Sequence, residues 1–103
     1  MNKIEIVIID TLQAEIERSN EKTKKLFYKQ KQFMEINPYF NSLGRKKLIN
    51  VKDKYGNDLW EIRLDKNRRI IFVERGKDKI IWLKICNHDE LIRKNIIRTK
   101  DCY

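Results

Sequence analysis

The chain has little of what disulfide frameworks, metal sites and phosphate-cradling loops are made from. Its 103 residues include two cysteines, one histidine, one proline and three glycines. Cys86 and Cys102 form no CxxC pair, and with His88 alone they cannot make a zinc set unless several carboxylates join them. No metal or other cofactor is therefore expected. Gly44, Gly56 and Gly76 stand singly in turn contexts, so no glycine-rich phosphate loop exists. Ser19 and Ser42, the only serines, lie outside any nucleophile-elbow pattern. No apolar run approaches the ~20 residues of a membrane span. The opening stretch MNKIEIVIIDTLQAE is too short in its apolar part, and too interrupted by acids, for a signal peptide. A cytoplasmic protein with reduced thiols and no membrane association is expected.

What the chain has in excess is positive charge. Lysine and arginine number 24 against 15 acids, a formal net charge of +9, and charged residues make up 38% of the whole. Disordered chains can be this charged, but ten aromatics and dense isoleucine runs mark a folding sequence. The length fits one domain, residues 1–103, with one small core. The excess, with arginines inside the apparent strands as well as lysines on the helices, favours a polyanionic partner: nucleic acid, an anionic membrane surface or an acidic protein.

Taken in order, Lys3–Ile9 reads as a strand covered on part of both faces. Asp10 looks like an N-cap with Gln13 as its box partner. Leu12 and Ile16, then Thr23, Leu26, Phe27, Phe33 and Met34, follow helical spacing and predict two antiparallel helices over 11–18 and 20–36. Ser19 or Asn20 would cap the second helix, and Asn37-Pro38 would end it. Residues 39–47 read as a loop whose Arg45-Lys46-Lys47 cluster projects beside the strands that follow. A short strand over 48–51 and a turn over 54–58 follow.

Then come three strands of a meander, Leu59–Leu64, Arg69–Glu74 and Lys79–Cys86. In the first, Trp60, Ile62 and Leu64 take one face while Glu61 and Arg63 take the other. Asn87 and Glu90 would start a short C-terminal helix carrying Leu91, Ile92, Ile96 and Ile97. The order β–α–α–β–β–β–β implies an α+β fold: an N-terminal strand and helical hairpin packed on a mainly antiparallel, four- to five-stranded twisted sheet.

With metals, phosphate loops and serine triads set aside, the remaining chemistry is metal-free attack on a phosphate ester by Arg, Lys, Glu and His. RNA permits this, because its own 2′-OH can attack the adjacent phosphorus. The protein then supplies a base, cations for the charge on phosphorus, and an acid for the departing 5′-oxygen.

The order of elements, together with INPYFNSLGRKKL, LWEIRL, NRRIIF and a strand ending in NHDEL, resembles toxins of the RelE/ParE superfamily from type II toxin–antitoxin pairs. The resemblance spans most of the chain. It implies cleavage of mRNA, commonly at the ribosomal A site, and neutralisation by a cognate antitoxin. By the same resemblance Arg69 would stabilise the scissile phosphate. Arg63 would bind RNA, Glu61 would be a general base or a partner for Arg63, and His88 would be a general acid or base, with Asp89 able to orient it. Lys46, Lys47, Lys52 and Lys54 would form a basic rim for mRNA or rRNA backbone, and Arg68 is a substitute for Arg69. The sequence departs from several relatives in having Leu91 and Ile92 where they carry an aromatic after the His position. Tyr55, Trp60 and Tyr103 are the stacking alternatives.

The alternatives are a ParE-like gyrase inhibitor without catalysis and a catalytically inactive nucleic-acid-binding module. Strand register bears on the choice. A three-residue loop over 65–67 would pair Arg63 with Arg69 on one face, whereas a two- or four-residue loop would turn one arginine away.

Overall fold

A computed structural model describes residues 4–87. Strand β1 (Glu5–Ile8) leads into helices α1 (Asp10–Glu17) and α2 (Glu21–Ile36), followed by a single 3₁₀ turn over Asn41–Leu43. Strands β2 (Lys46–Lys52), β3 (Asp58–Arg63), β4 (Arg68–Arg75) and β5 (Lys79–Asn87) complete the order. They form one five-stranded sheet, β1-β5-β4-β3-β2, in which only the β1–β5 pairing is parallel. The expected α+β architecture is the observed one. The predicted C-terminal helix, His88 and Asp89 lie outside the described residues.

Local chemistry explains most boundaries, with one correction. Asn20 caps α2, its side-chain oxygen accepting from the Thr23 N–H at 2.8 Å. Asn37 ends α2 in extended geometry, as the following Pro38 requires. Asp10, in contrast, is not an N-cap but the first helical residue; Ile9 holds the cap position without a side-chain bond. The cause is long-range. Ile9 donates its N–H to Trp82 O on β5, so the sheet sets where β1 stops and α1 begins. Gln13, the expected box partner, reaches Glu17 and the Tyr28 hydroxyl instead.

Both helices cover one face of the sheet. There Phe27 and Met34 meet Ile62, Ile70, Phe72 and Trp82, all with no exposed surface. The Trp82 ring stands edge-on to Phe27, and its Nε1 donates to Met34 Sδ at 3.3 Å. The opposite face is only partly polar, contrary to the expectation from β3 alone. Leu59, Ile71, Val73, Leu83 and Cys86 form a second buried cluster, flanked by Ile9, Leu48, Val51 and Ile81.

Strand β2 is longer and less regular than the predicted 48–51. Lys46 and Lys47 pair with Glu61 and Trp60, but the next pair is Lys52 with Asp58. Four residues of β2, from Leu48 to Val51, therefore stand against Leu59 alone. Asn50 takes a left-handed φ of 62° there, a conformation asparagine tolerates better than most residues, and Ile49 is exposed. Lys47 and Lys52 both bridge Asp58 and close the base of this bulge. They hold the Asp58 carboxyl below the usual carboxylate range, the Lys52 bond contributing most.

Candidate functional site

The β3–β4 turn is built around Asp65. One carboxylate oxygen accepts from the N–H groups of Asn67 (3.0 Å) and Arg68 (2.8 Å), closing an Asx turn. The other accepts from Arg68 Nε at 2.9 Å and Nη2 at 2.7 Å. Burial raises the Asp65 pKa, but these Arg68 and backbone bonds outweigh it and hold the carboxyl below its ordinary value. Arg68 Nη2 also donates to Thr23 Oγ1 in the first turn of α2. Arg68 thus ties the hairpin to the helices, and its register places it away from Arg63.

The turn leaves three residues in the loop, and Arg63 pairs directly with Arg69. Glu61 lies two residues before Arg63 on the same strand, so Glu61, Arg63 and Arg69 share the face that the helices do not cover. Glu61 Oε1 sits 3.9 Å from Arg69 Nε, and both side chains are nearly buried, at 7% and 11% exposure. Arg69 Nη1 donates to the carbonyl oxygens of Asp65 (2.9 Å) and Arg68 (3.0 Å), with Lys66 O at 3.5 Å. Among the described residues, Arg69 Nη2 has no hydrogen-bond partner.

Arg63 is the exposed member of the group, with Gln30 and Gly44 beside it. Strand β2 does not extend as far as Arg63, and Gln30 from α2 supplies the missing donor, its Nε2 meeting Arg63 O at 2.6 Å. Gly44, at φ 63°, borders the Arg63 side chain, where an added Cβ would stand at ordinary contact distance, 3.7 Å from Arg63 Cβ and 3.8 Å from Nε. A left-handed position against a guanidinium stem favours glycine. Gln30 had no visible function in the sequence; its burial is the signal.

The predicted lysine rim divides. Lys46 pairs with Glu61 and shares the face of Arg63 by register. Lys47 and Lys52 do not: they pair with Trp60 and Asp58, which take the other face, Lys52 being turned there by the bulge, and both are bound to Asp58. Lys54 lies in the β2–β3 turn with its Nζ 5.3 Å from the Tyr55 ring centre. Lys84 was overlooked. It pairs with Ile71, directly across from Glu61, which puts it on the site face. The signal was a lysine inside the apolar strand IIWLKIC.

Two aromatic and basic positions also need correcting. Arg45 parts from its two lysine neighbours and lies against the meander itself. It is half-buried, ion-paired to Glu74 at 3.0 Å and stacked 4.3 Å from the Trp60 ring centre, with Tyr39 and Phe72 beside it. Trp60 is consequently occupied on the helix side of the sheet, roughly parallel to Phe72, and turned away from Arg63. Tyr55 is exposed at the far turn.

The fold is similar to that of solved RelE and YoeB/ParE toxins. An archaeal RelE from Pyrococcus horikoshii OT3, solved as a RelE–RelB complex, superposes with a TM-score of 0.66. The match is 21% identical and covers 82% of this chain and 94% of that one. A YoeB/ParE toxin from Agrobacterium tumefaciens gives a TM-score of 0.60 at 10% identity, covering 82% of this chain and 99% of that one. No protein-family model and no curated protein sequence matches the chain.

Proposed function

We propose that the chain is the toxin of a type II toxin–antitoxin pair and an endoribonuclease that cleaves mRNA at the ribosomal A site without a metal. The pairing of Arg63 with Arg69 beside Glu61 carries this reading. The cations flank a scissile phosphate, Arg63 from solvent and Arg69 through the Nη2 that has no hydrogen-bond partner among the described residues. Both stabilise the charge that builds on phosphorus. The RNA 2′-oxygen attacks phosphorus and the P–O5′ bond breaks, leaving a 2′,3′-cyclic phosphate and a 5′-hydroxyl. Glu61, with Arg69 to offset its charge, takes the 2′-OH proton. His88 gives a proton to the departing 5′-oxygen. Lys46 and Lys84 hold flanking phosphates, and Lys54 contacts backbone further out.

The partner is a cognate antitoxin, as in the RelE–RelB complex named for the archaeal relative. The +9 charge suits an acidic antitoxin as well as mRNA and rRNA. The test is a translating extract with mapped mRNA ends. Cleavage between codons is expected, lost in Arg69→Ala and reduced in His88→Ala.

One observation favours a second reading. Arg69 is nearly buried and much of its guanidinium is committed to the hairpin's own carbonyls and to Glu61. That suits a scaffold without catalysis, like a ParE-type gyrase inhibitor. Intact mRNA with gyrase-linked DNA damage would establish that alternative.

A further inference from the structure

The outer surface of α2 carries features that the cleavage reading does not use. Lys22, Lys25 and Lys29 follow one another at three- and four-residue spacing, so they line one side of the helix over about 10 Å. All three are exposed. Of the helix's two acids, Glu35 is paired with Lys31 at 2.8 Å, and Glu21, exposed at the rim of the same surface, is paired with Lys24 at 3.5 Å. Among the described residues the stripe lysines enter no salt bridge.

Tyr28 stands next to the stripe, in a shallow hollow lined by Glu21, Lys22, Lys24 and Lys25. Its ring is fixed rather than free: Gln13 Nε2 donates to its hydroxyl at 3.1 Å, and Phe27 packs edge-on at 5.3 Å. Yet 39% of the residue remains exposed. A held aromatic plane beside ammonium groups that enter no salt bridge, Lys29 resting 5.9 Å from the Phe33 ring centre, suits an unstacked base followed by its phosphates. A solvated lysine face would need no such ring.

We infer that the outer face of α2 is a second RNA-binding surface, taking a single-stranded segment with Tyr28 stacked on a base and Lys22, Lys25 and Lys29 on successive phosphates. It lies on the opposite side of the sheet from Arg63 and Arg69. A folded RNA could therefore be gripped there while another segment reaches the site. The inference is independent of whether the chain cleaves RNA.

The test uses the full chain and a short 2′-O-methyl oligoribonucleotide, which cannot be cleaved, titrated over a range of salt. Lys22→Ala/Lys25→Ala should lower the log–log salt slope by about 1.4, from 0.7 per phosphate contact. Tyr28→Leu should weaken binding about tenfold with the slope unchanged. The charge-matched control Lys77→Ala/Lys79→Ala, on the β4–β5 turn, should leave the slope near wild type. Equal losses in the stripe and control doubles would overturn the inference, because net charge would then be the cause. So would retained RNA binding in the stripe double together with lost binding to phosphatidylserine vesicles, which would make the face a membrane surface.

Discussion

The two faces of the sheet use charge in opposite ways. On the helix-covered face, polar groups serve the fold. Gln30 meets a strand carbonyl, Arg68 ties a turn to α2, and Arg45 is stacked on aromatics and paired with Glu74. On the other face an apolar cluster occupies the middle, and Glu61, Arg63 and Arg69 gather toward the β3–β4 turn. The difference separates stability from function. Each charge in the first group is tied to another element by an ion pair or hydrogen bond, whereas Arg63 in the second is exposed and anchored through its backbone carbonyl by Gln30. Arg69 stands between, with one nitrogen bound to the turn's carbonyls and another without a hydrogen-bond partner among the described residues.

Substitutions should divide along the same line, and the largest effect belongs to the covered face. Trp82→Ala removes the largest fully buried side chain among the described residues and should cost about 3–5 kcal/mol, read as a lower urea midpoint. Next comes Arg69→Ala, which leaves turn carbonyls and a nearly buried Glu61 without their partner. It should cost about 2 kcal/mol and abolish cleavage, and replacing Glu61 as well should recover part of the stability but none of the activity. Gln30→Leu removes only the bond to Arg63 O. A loss of about 1 kcal/mol is expected, with cleavage falling further than that stability change explains, because Arg63 loses its anchor. A Gln30→Leu protein with wild-type cleavage would break the link between the two faces.

Acid should probe the turn. Asp65 has its pKa lowered in the folded chain, so its carboxylate stabilises the fold above the ordinary value of 3.8 and loses that contribution as pH falls below it. The stability gap between wild type and Asp65→Asn should narrow through that range and close once the folded carboxyl is protonated. A gap that stays constant would assign the turn's stability to backbone geometry instead. The smallest effect is that of Arg63→Ala on stability, expected within about 0.5 kcal/mol.

Much of this division was legible in the residues, and what was missed has physical causes. Alternation in LWEIRL separated Ile62 from Glu61 and Arg63, and the loop-length argument framed the register that pairs Arg63 with Arg69. Asn20 was one of two possible caps for α2, and the structure selects it. Non-local contacts were not legible. The Ile9–Trp82 bond overrides Asp10 as a cap, and the four-residue bulge in β2 depends on Asp58 holding two lysines. Arg45 looked like its basic neighbours because nothing local reveals the Trp60 ring beneath it. Lys84 was hidden inside an apolar run, and only the β4–β5 register puts it opposite Ile71.

The central claim is that the charged end of the uncovered face is a site rather than a structural brace, and Arg63 tests it most directly. Wild type and Arg63→Ala should be compared in one translating extract, with mRNA ends mapped and urea midpoints measured on the same preparations. The expected result is an unchanged midpoint with cleavage reduced at least a hundredfold, the scale of losing about 2.7 kcal/mol of transition-state stabilisation. Undiminished cleavage by a stably folded Arg63→Ala protein would contradict it.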